Sequence, residues 1–99
     1  MRTITIQIGN SDDKLTQAEW SSYVSEVDRA VKKSYARIHF SGFSEPGKPW
    51  QNAAWVIEYM GDMSLWIVEC GKLRDKLTKI RKQYRQDSIA WTEGQTYFY

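Results

Sequence analysis

Residues 61–84 read "GDMSLWIVECGKLRDKLTKIRKQY", and whether this stretch is helix or strand decides the fold. Trp66, Cys70, Leu73, Leu77, Ile80 and Tyr84 recur at alternating four- and three-residue steps, the seam of a helix with one buried face. Two features oppose that reading. "LWIVE" at 65–69 is apolar on every side and rich in β-branched residues, and Gly71 disfavours a helix interior by about 1 kcal/mol relative to alanine. The seam predicts a long helix beginning near Ser64; the alternative is a short extra strand over 65–69.

The rest of the chain falls into order around that helix. In "RTITIQIGN" (2–10), Ile4, Ile6 and Ile8 alternate with Thr3, Thr5 and Gln7, the two-residue period of a half-buried strand. "NSDDK" turns the chain. Thr16 then offers an N-cap, with Glu19 three residues on as its capping-box partner and Leu15 placed to staple onto Trp20. Trp20, Tyr23, Val24, Val27, Ala30 and Val31 continue at helical spacing to a helix end near Ser34. "YARIHFSGF" (35–43) alternates again, with Ala36, Ile38 and Phe40 on one face and Arg37, His39 and Ser41 on the other. Pro46 and Pro49 make "SEPGKP" (44–49) a loop. "NAAWVIEYM" (52–60) is a third strand with Trp55, Ile57 and Tyr59 on one face. After the long helix, "SIAWT" (88–92) is a strand, and "EGQ" is expected to turn it into "TYFY" as a closing hairpin.

Strand, helix, strand, strand, helix, strand, with right-handed crossovers, places two helices on one face of an antiparallel sheet. This α+β order resembles the ferredoxin-like βαββαβ plait over essentially the whole chain, with the C-terminal hairpin as an optional addition. Many unrelated functions share that fold. A narrower resemblance lies in "TIQIGNSDDKLTQAEW" (5–20) and "YRQDSIAWTEG" (84–94), which look like segments of small uncharacterised proteins of actinobacteria and their phages. That resemblance implies a phage or bacterial accessory protein that binds a host component, and no activity comes with it.

Composition sets the outer bounds. Ninety-nine residues, 41% hydrophobic and 26% charged, fit one domain, 1–99, with a single core. The lone cysteine, Cys70, has no partner for a disulfide or a metal site, which fits a reducing, cytoplasmic setting. No stretch approaches the roughly 20 apolar residues of a membrane span. The formal charge of +2 is too small to argue nucleic acid by itself. It is unevenly spread, however, with Asp12, Asp13, Glu19, Glu26 and Asp28 near the start and Lys72, Arg74, Lys76, Lys79, Arg81, Lys82 and Arg85 on the second helix.

Catalytic and cofactor motifs are absent from the pattern. Asp12 and Asp13 lack the further oxygen ligands of a hard-cation site. His39, the single histidine, reads as a strand-surface residue unless a carboxylate orients it in a cleft, with Ser41 and Glu58 as candidate neighbours. Cys70 reads as a small buried hydrophobe. "GFSEPG" (42–47) has neither the spacing nor the ending of a P-loop. No enzyme, metal or cofactor is expected. The plait is also the fold of the RNA-recognition motif, which stacks bases on aromatics of its first and third strands. Here the first strand offers Thr3, Thr5 and Gln7, and "NAAWVIEY" lacks the family's basic-Gly-aromatic signature despite Trp55 and Tyr59.

Aromatic residues carry the remaining functional signal. Trp20, Trp50, Trp55, Trp66 and Trp91 with Tyr97, Phe98 and Tyr99 exceed what one small core holds, and such rings anchor protein interfaces. The expected partner-binding residues are Phe43, Lys48, Trp50, Gln51 and Trp55 at the proline-stiffened loop, then Tyr97 and Tyr99 at a sheet edge. Trp55 also fits ordinary sheet packing. A homodimer through the sheet face or edge belongs to the same reading. The rival reading is a binder of nucleic acid or a small anionic ligand through Arg74, Lys76, Lys79, Arg81 and Arg85.

Overall fold

The computed structural model describes residues 1–10, 12–45 and 50–99. Its elements are β1 (Arg2–Gly9), α1 (Gln17–Lys33), β2 (Ala36–Phe43), β3 (Asn52–Tyr59), α2 (Met63–Gln83) and β4 (Ala90–Gln95). The four strands form one antiparallel sheet in the order β2-β3-β1-β4, the ferredoxin-like plait. Ile4, Ile6 and Ile8 of β1 and Ala53, Trp55, Ile57 and Tyr59 of β3 form the sheet side of the core, beneath Tyr23, Val27 and Val31 of α1 and Cys70, Leu73 and Leu77 of α2.

Within residues 61–84, Met63–Gln83 is helix and no strand forms over 65–69. Asp62 caps it, its Oδ1 accepting from Leu65 N–H at 2.9 Å, and an aspartate at that position is a start signal the apolar run obscures. The cost of the all-round apolar segment shows at the surface, where Met63, Ile67 and Val68 stay exposed. At the start of α1 the capping box is present in both directions. Glu19 N–H donates to Thr16 Oγ1 at 3.2 Å and Thr16 N–H donates to Glu19 Oε1 at 3.1 Å.

Two details differ from the sequence reading. The closing hairpin does not form: Glu93, Gly94 and Gln95 lie inside β4, opposite Ile4, Thr3 and Arg2. Continued ladder pairing with β1 satisfies more backbone groups than a turn at "EGQ", and Tyr97–Tyr99 are not in a strand. The alternation of β2 is also interrupted. Ile38 opposes Ile57 but Phe40 opposes Val56, so a bulge absorbs one residue between them. Phe40 consequently leaves the face of Ala36 and Ile38 for the open side of the sheet, while Ser41 and Phe43, opposite Trp55 and Ala53, turn to the helix side.

Candidate functional site

The bulge builds the site. By sending Phe43 to the helix side at the end of β2, it gives one wall of a groove whose other wall is Trp20, Ser21 and Val24 of α1. The groove has a volume of about 360 Å3 and ends at Gln17, Ser44 and Gln51. Phe43 is 68% exposed and Trp50, which precedes Gln51 in the chain, 61%. The end of β2 is tied to the start of β3, since Ser44 N–H donates to Asn52 O at 2.8 Å and Asn52 N–H donates to Ser44 Oγ at 2.9 Å.

A buried amide cluster fixes the polar end. Asn10 Oδ1 accepts from Leu15 N–H, and its Nδ2 donates to Leu15 O and to Gln51 Oε1, each at 3.0 Å. Gln51 Nε2 donates to Gln17 Oε1 at 2.8 Å, and Gln17 Nε2 donates back to Gln51 Oε1 at 3.1 Å. The amides of two neighbouring connections thereby satisfy one another, and a satisfied network of this kind holds backbone in one arrangement. Gln51, expected as a direct contact, is only 5% exposed and acts instead as the latch between loop and helix start.

The other expected partner residues separate. Trp55 is 2% exposed in the core, its Nε1 donating to Asp28 Oδ1 at 3.0 Å; β3 is a central strand, so a ring of its core parity leaves no surface to a partner. Lys48 lies outside the described residues. Tyr97 and Tyr99 are exposed beyond β4, away from the groove. Sequence reasoning placed Trp20 and Val24 in the core and missed their outer edges. Val24 stands at the margin of the apolar arc of α1, a position that packs on one side only.

The basic residues of α2 lie on different flanks. Arg74 stacks over Trp91, 5.2 Å from the ring centre, beside a depression of about 140 Å3 that Arg81 also lines. Arg81 Nη1 donates to Gln86 O at 2.9 Å and Asp87 O at 3.0 Å, and Arg85 pairs with Glu19 at 2.6 Å. Lys76 faces the opposite flank with Lys33 and Lys72. The guanidiniums of Arg81 and Arg85 are thus engaged in holding the end of α2.

His39 does meet a carboxylate, its Nε2 lying 2.9 Å from Glu58 Oε1. The pair sits on the open sheet face, and the bulge has turned Ser41 to the other side, so the hydroxyl nearest in sequence cannot serve as its nucleophile. Asp12 is held by Lys14 at 3.5 Å, and among the described residues no group of three or more metal-ligating side chains converges. Burial pushes the Cys70 thiol up to about 11. Among the described residues no helix is long and apolar enough to cross a membrane. The open face shows Thr3, Thr5 and Gln7 from β1 and Ala54, Val56 and Glu58 from β3, so neither central strand presents a ring there.

This combination defines a small plait domain with a helix–strand groove. No protein-family model matches the chain, and no curated protein does. Solved structures share its architecture. The C-terminal domain of the MgtC protein from Mycobacterium tuberculosis superposes with a TM-score of 0.62 at 7% identity, over 95% of this chain and 88% of that one. An uncharacterized NIPSNAP domain protein from Burkholderia xenovorans gives 0.56 at 9%, over 98% and 95%. The de novo designed protein Foldit4 gives 0.56 at 12%, over 97% and 98%. At such identities the likeness is one of fold alone.

Proposed function

We propose that this protein is a non-catalytic binding module that takes an apolar anchor of a partner protein into the groove between α1 and the end of β2. The observation that carries this reading is the groove itself, with apolar walls from Trp20, Val24 and Phe43 and a few fixed amides at one end, and with the exposed Trp50 next in the chain to Gln51. Concave apolar surface with sparse polar groups is what ligand and hot-spot pockets share. In this reading the module is a cytoplasmic accessory protein of a bacterium or its phage, directed at a host component.

The test is selection of displayed random peptides on the immobilised protein, with a Phe43→Asp variant as counter-target. Binders are expected to converge on one large apolar side chain and to lose at least about tenfold in affinity on Phe43→Asp, the equivalent of about 1.4 kcal/mol. Peptides that bind both proteins equally contradict the reading. Salt separates the anionic-ligand alternative, because phosphate-driven binding through Arg74, Lys76 and Lys79 weakens steeply as salt rises and an apolar anchor does not.

A further inference from the structure

The two edges of the sheet are guarded unequally. β2 carries its bulge and the charged Arg37, two devices that keep edge strands from pairing. β4 is less guarded: Ala90–Gln95 pairs with β1 without a bulge and is free of lysine and proline, and its one charged side chain, Glu93, is paired with Arg2 at 3.6 Å. Thr96 N–H donates to Met1 O at 2.7 Å, so even-numbered residues of this strand turn to β1. The N–H and C=O groups of Trp91, Glu93 and Gln95 therefore point outward along the edge.

Above that edge lies the apolar start of α2. Arg74, Thr78 and Arg81 stand over Ile89 and Trp91, and the same helical row runs back to Ile67 and Met63, which are 58% and 57% exposed. Gly71 lies between them, where an added Cβ would meet nothing within 4 Å. The flank is apolar at its Met63 end and carries a shallow depression of about 140 Å3 beside Trp91.

We propose that a second copy of this chain covers this flank, its β4 pairing antiparallel with β4 of the first about a two-fold axis through Gly94. An antiparallel edge is self-complementary under such an axis. Centring on Glu93 would oppose like charges, which is unfavourable. Centring on Gly94 instead sets Glu93 against Gln95 and, with the chain beyond β4 drawn into the new ladder, Trp91 against Tyr97 of the other copy, an aromatic cross-strand pair. It also brings the two glycines to the close, roughly 4.5 Å approach of a non-hydrogen-bonded pair, where neither has a Cβ in the way. Both α2 flanks then meet on one side of an eight-stranded sheet. Trp91 is already half-buried against the core, so the newly covered surface comes from Tyr97, which is 70% exposed, from Met63 and Ile67, and from the length of the strand itself, toward the roughly 800 Å2 per partner of a stable interface.

Sedimentation and a cross-link test this together. The wild type is expected to sediment at twice 11.6 kDa. Gly94→Cys should form an intermolecular disulfide under mild oxidation, because its partner lies within bridging distance, whereas Thr92→Cys should not. Gln95→Pro removes an outward N–H and no bond to β1, and Ile67→Lys charges an exposed site. Each should raise the dimer dissociation constant at least about tenfold with unchanged far-UV circular dichroism. A wild type that stays monomeric to roughly 1 mM, a dimer indifferent to both substitutions, cross-linking at Thr92 instead of Gly94, or binding of phosphatidylcholine vesicles in place of self-association would each overturn the proposal.

Discussion

Asn10 is the residue on which the groove's geometry depends most. It is 1% exposed and joins the turn after β1 both to Leu15 and to the entry of β3 through Gln51. Asn10→Ala leaves the Leu15 N–H and the Gln51 amide without that partner, and urea unfolding should show a loss of about 2–3 kcal/mol. Tyr23 is the opposite case. Its hydroxyl is buried and finds no hydrogen-bond partner among the described residues, and burial pushes its pKa up to about 12. Tyr23→Phe should therefore be neutral or stabilising by about 0.5–1 kcal/mol in the same assay.

Asp28 gives the pH dependence. Burial pushes its carboxyl up, but Lys32 at 2.7 Å and the Trp55 indole at 3.0 Å hold the ionised form more strongly, so its pKa lies below the ordinary 3.8. A depressed folded value means stability that is present above 3.8 and is lost as pH falls through the folded value. Wild type should thus lose stability faster than Asp28→Asn on acidification below that point, followed by tryptophan fluorescence. Neither the Asn10–Gln51 nor the Asp28–Trp55 bond was legible in the sequence, since each joins side chains that only the fold brings together. The capping box of Thr16 and Glu19 was legible because both partners lie within one turn.

Among the elements, α2 carries a glycine it does not need for packing. With nothing within 4 Å of a Cβ at Gly71, Gly71→Ala should raise monomer stability by about 0.5–1 kcal/mol through helix propensity, measured by thermal unfolding at concentrations too low for self-association. The seam of α2 was readable from its spacing, and Asp62 was the cap that the apolar "LWIVE" masked. The bulge in β2 was not readable. Nothing in "ARIHFSGF" marks where the register slips, because the slip is decided by pairing with β3, and it alone determines that Phe43 faces α1. The hairpin expected at "EGQ" failed for a related reason, since the length of β1 opposite it was the deciding quantity.

Across the whole molecule, the fold followed from element order, while the groove depended on one extra residue in an edge strand. The plait has internal pseudo-symmetry, each half a strand–helix–strand unit, and the two helix–edge grooves occupy equivalent places: neutral and apolar at α1–β2, arginine-rich at α2–β4. That contrast favours the first for the proposed partner binding and leaves the second beside the edge proposed for self-association. Chemical-shift mapping of the isotopically labelled protein with a peptide selected on it discriminates most directly between these surfaces. Shifts confined to the amides of residues 17–25, 41–44 and 50–52, and abolished by Phe43→Asp, are the expected result. Shifts centred on α2 and β4, or a peptide that binds the Phe43→Asp variant unchanged, would contradict a binding site between α1 and β2.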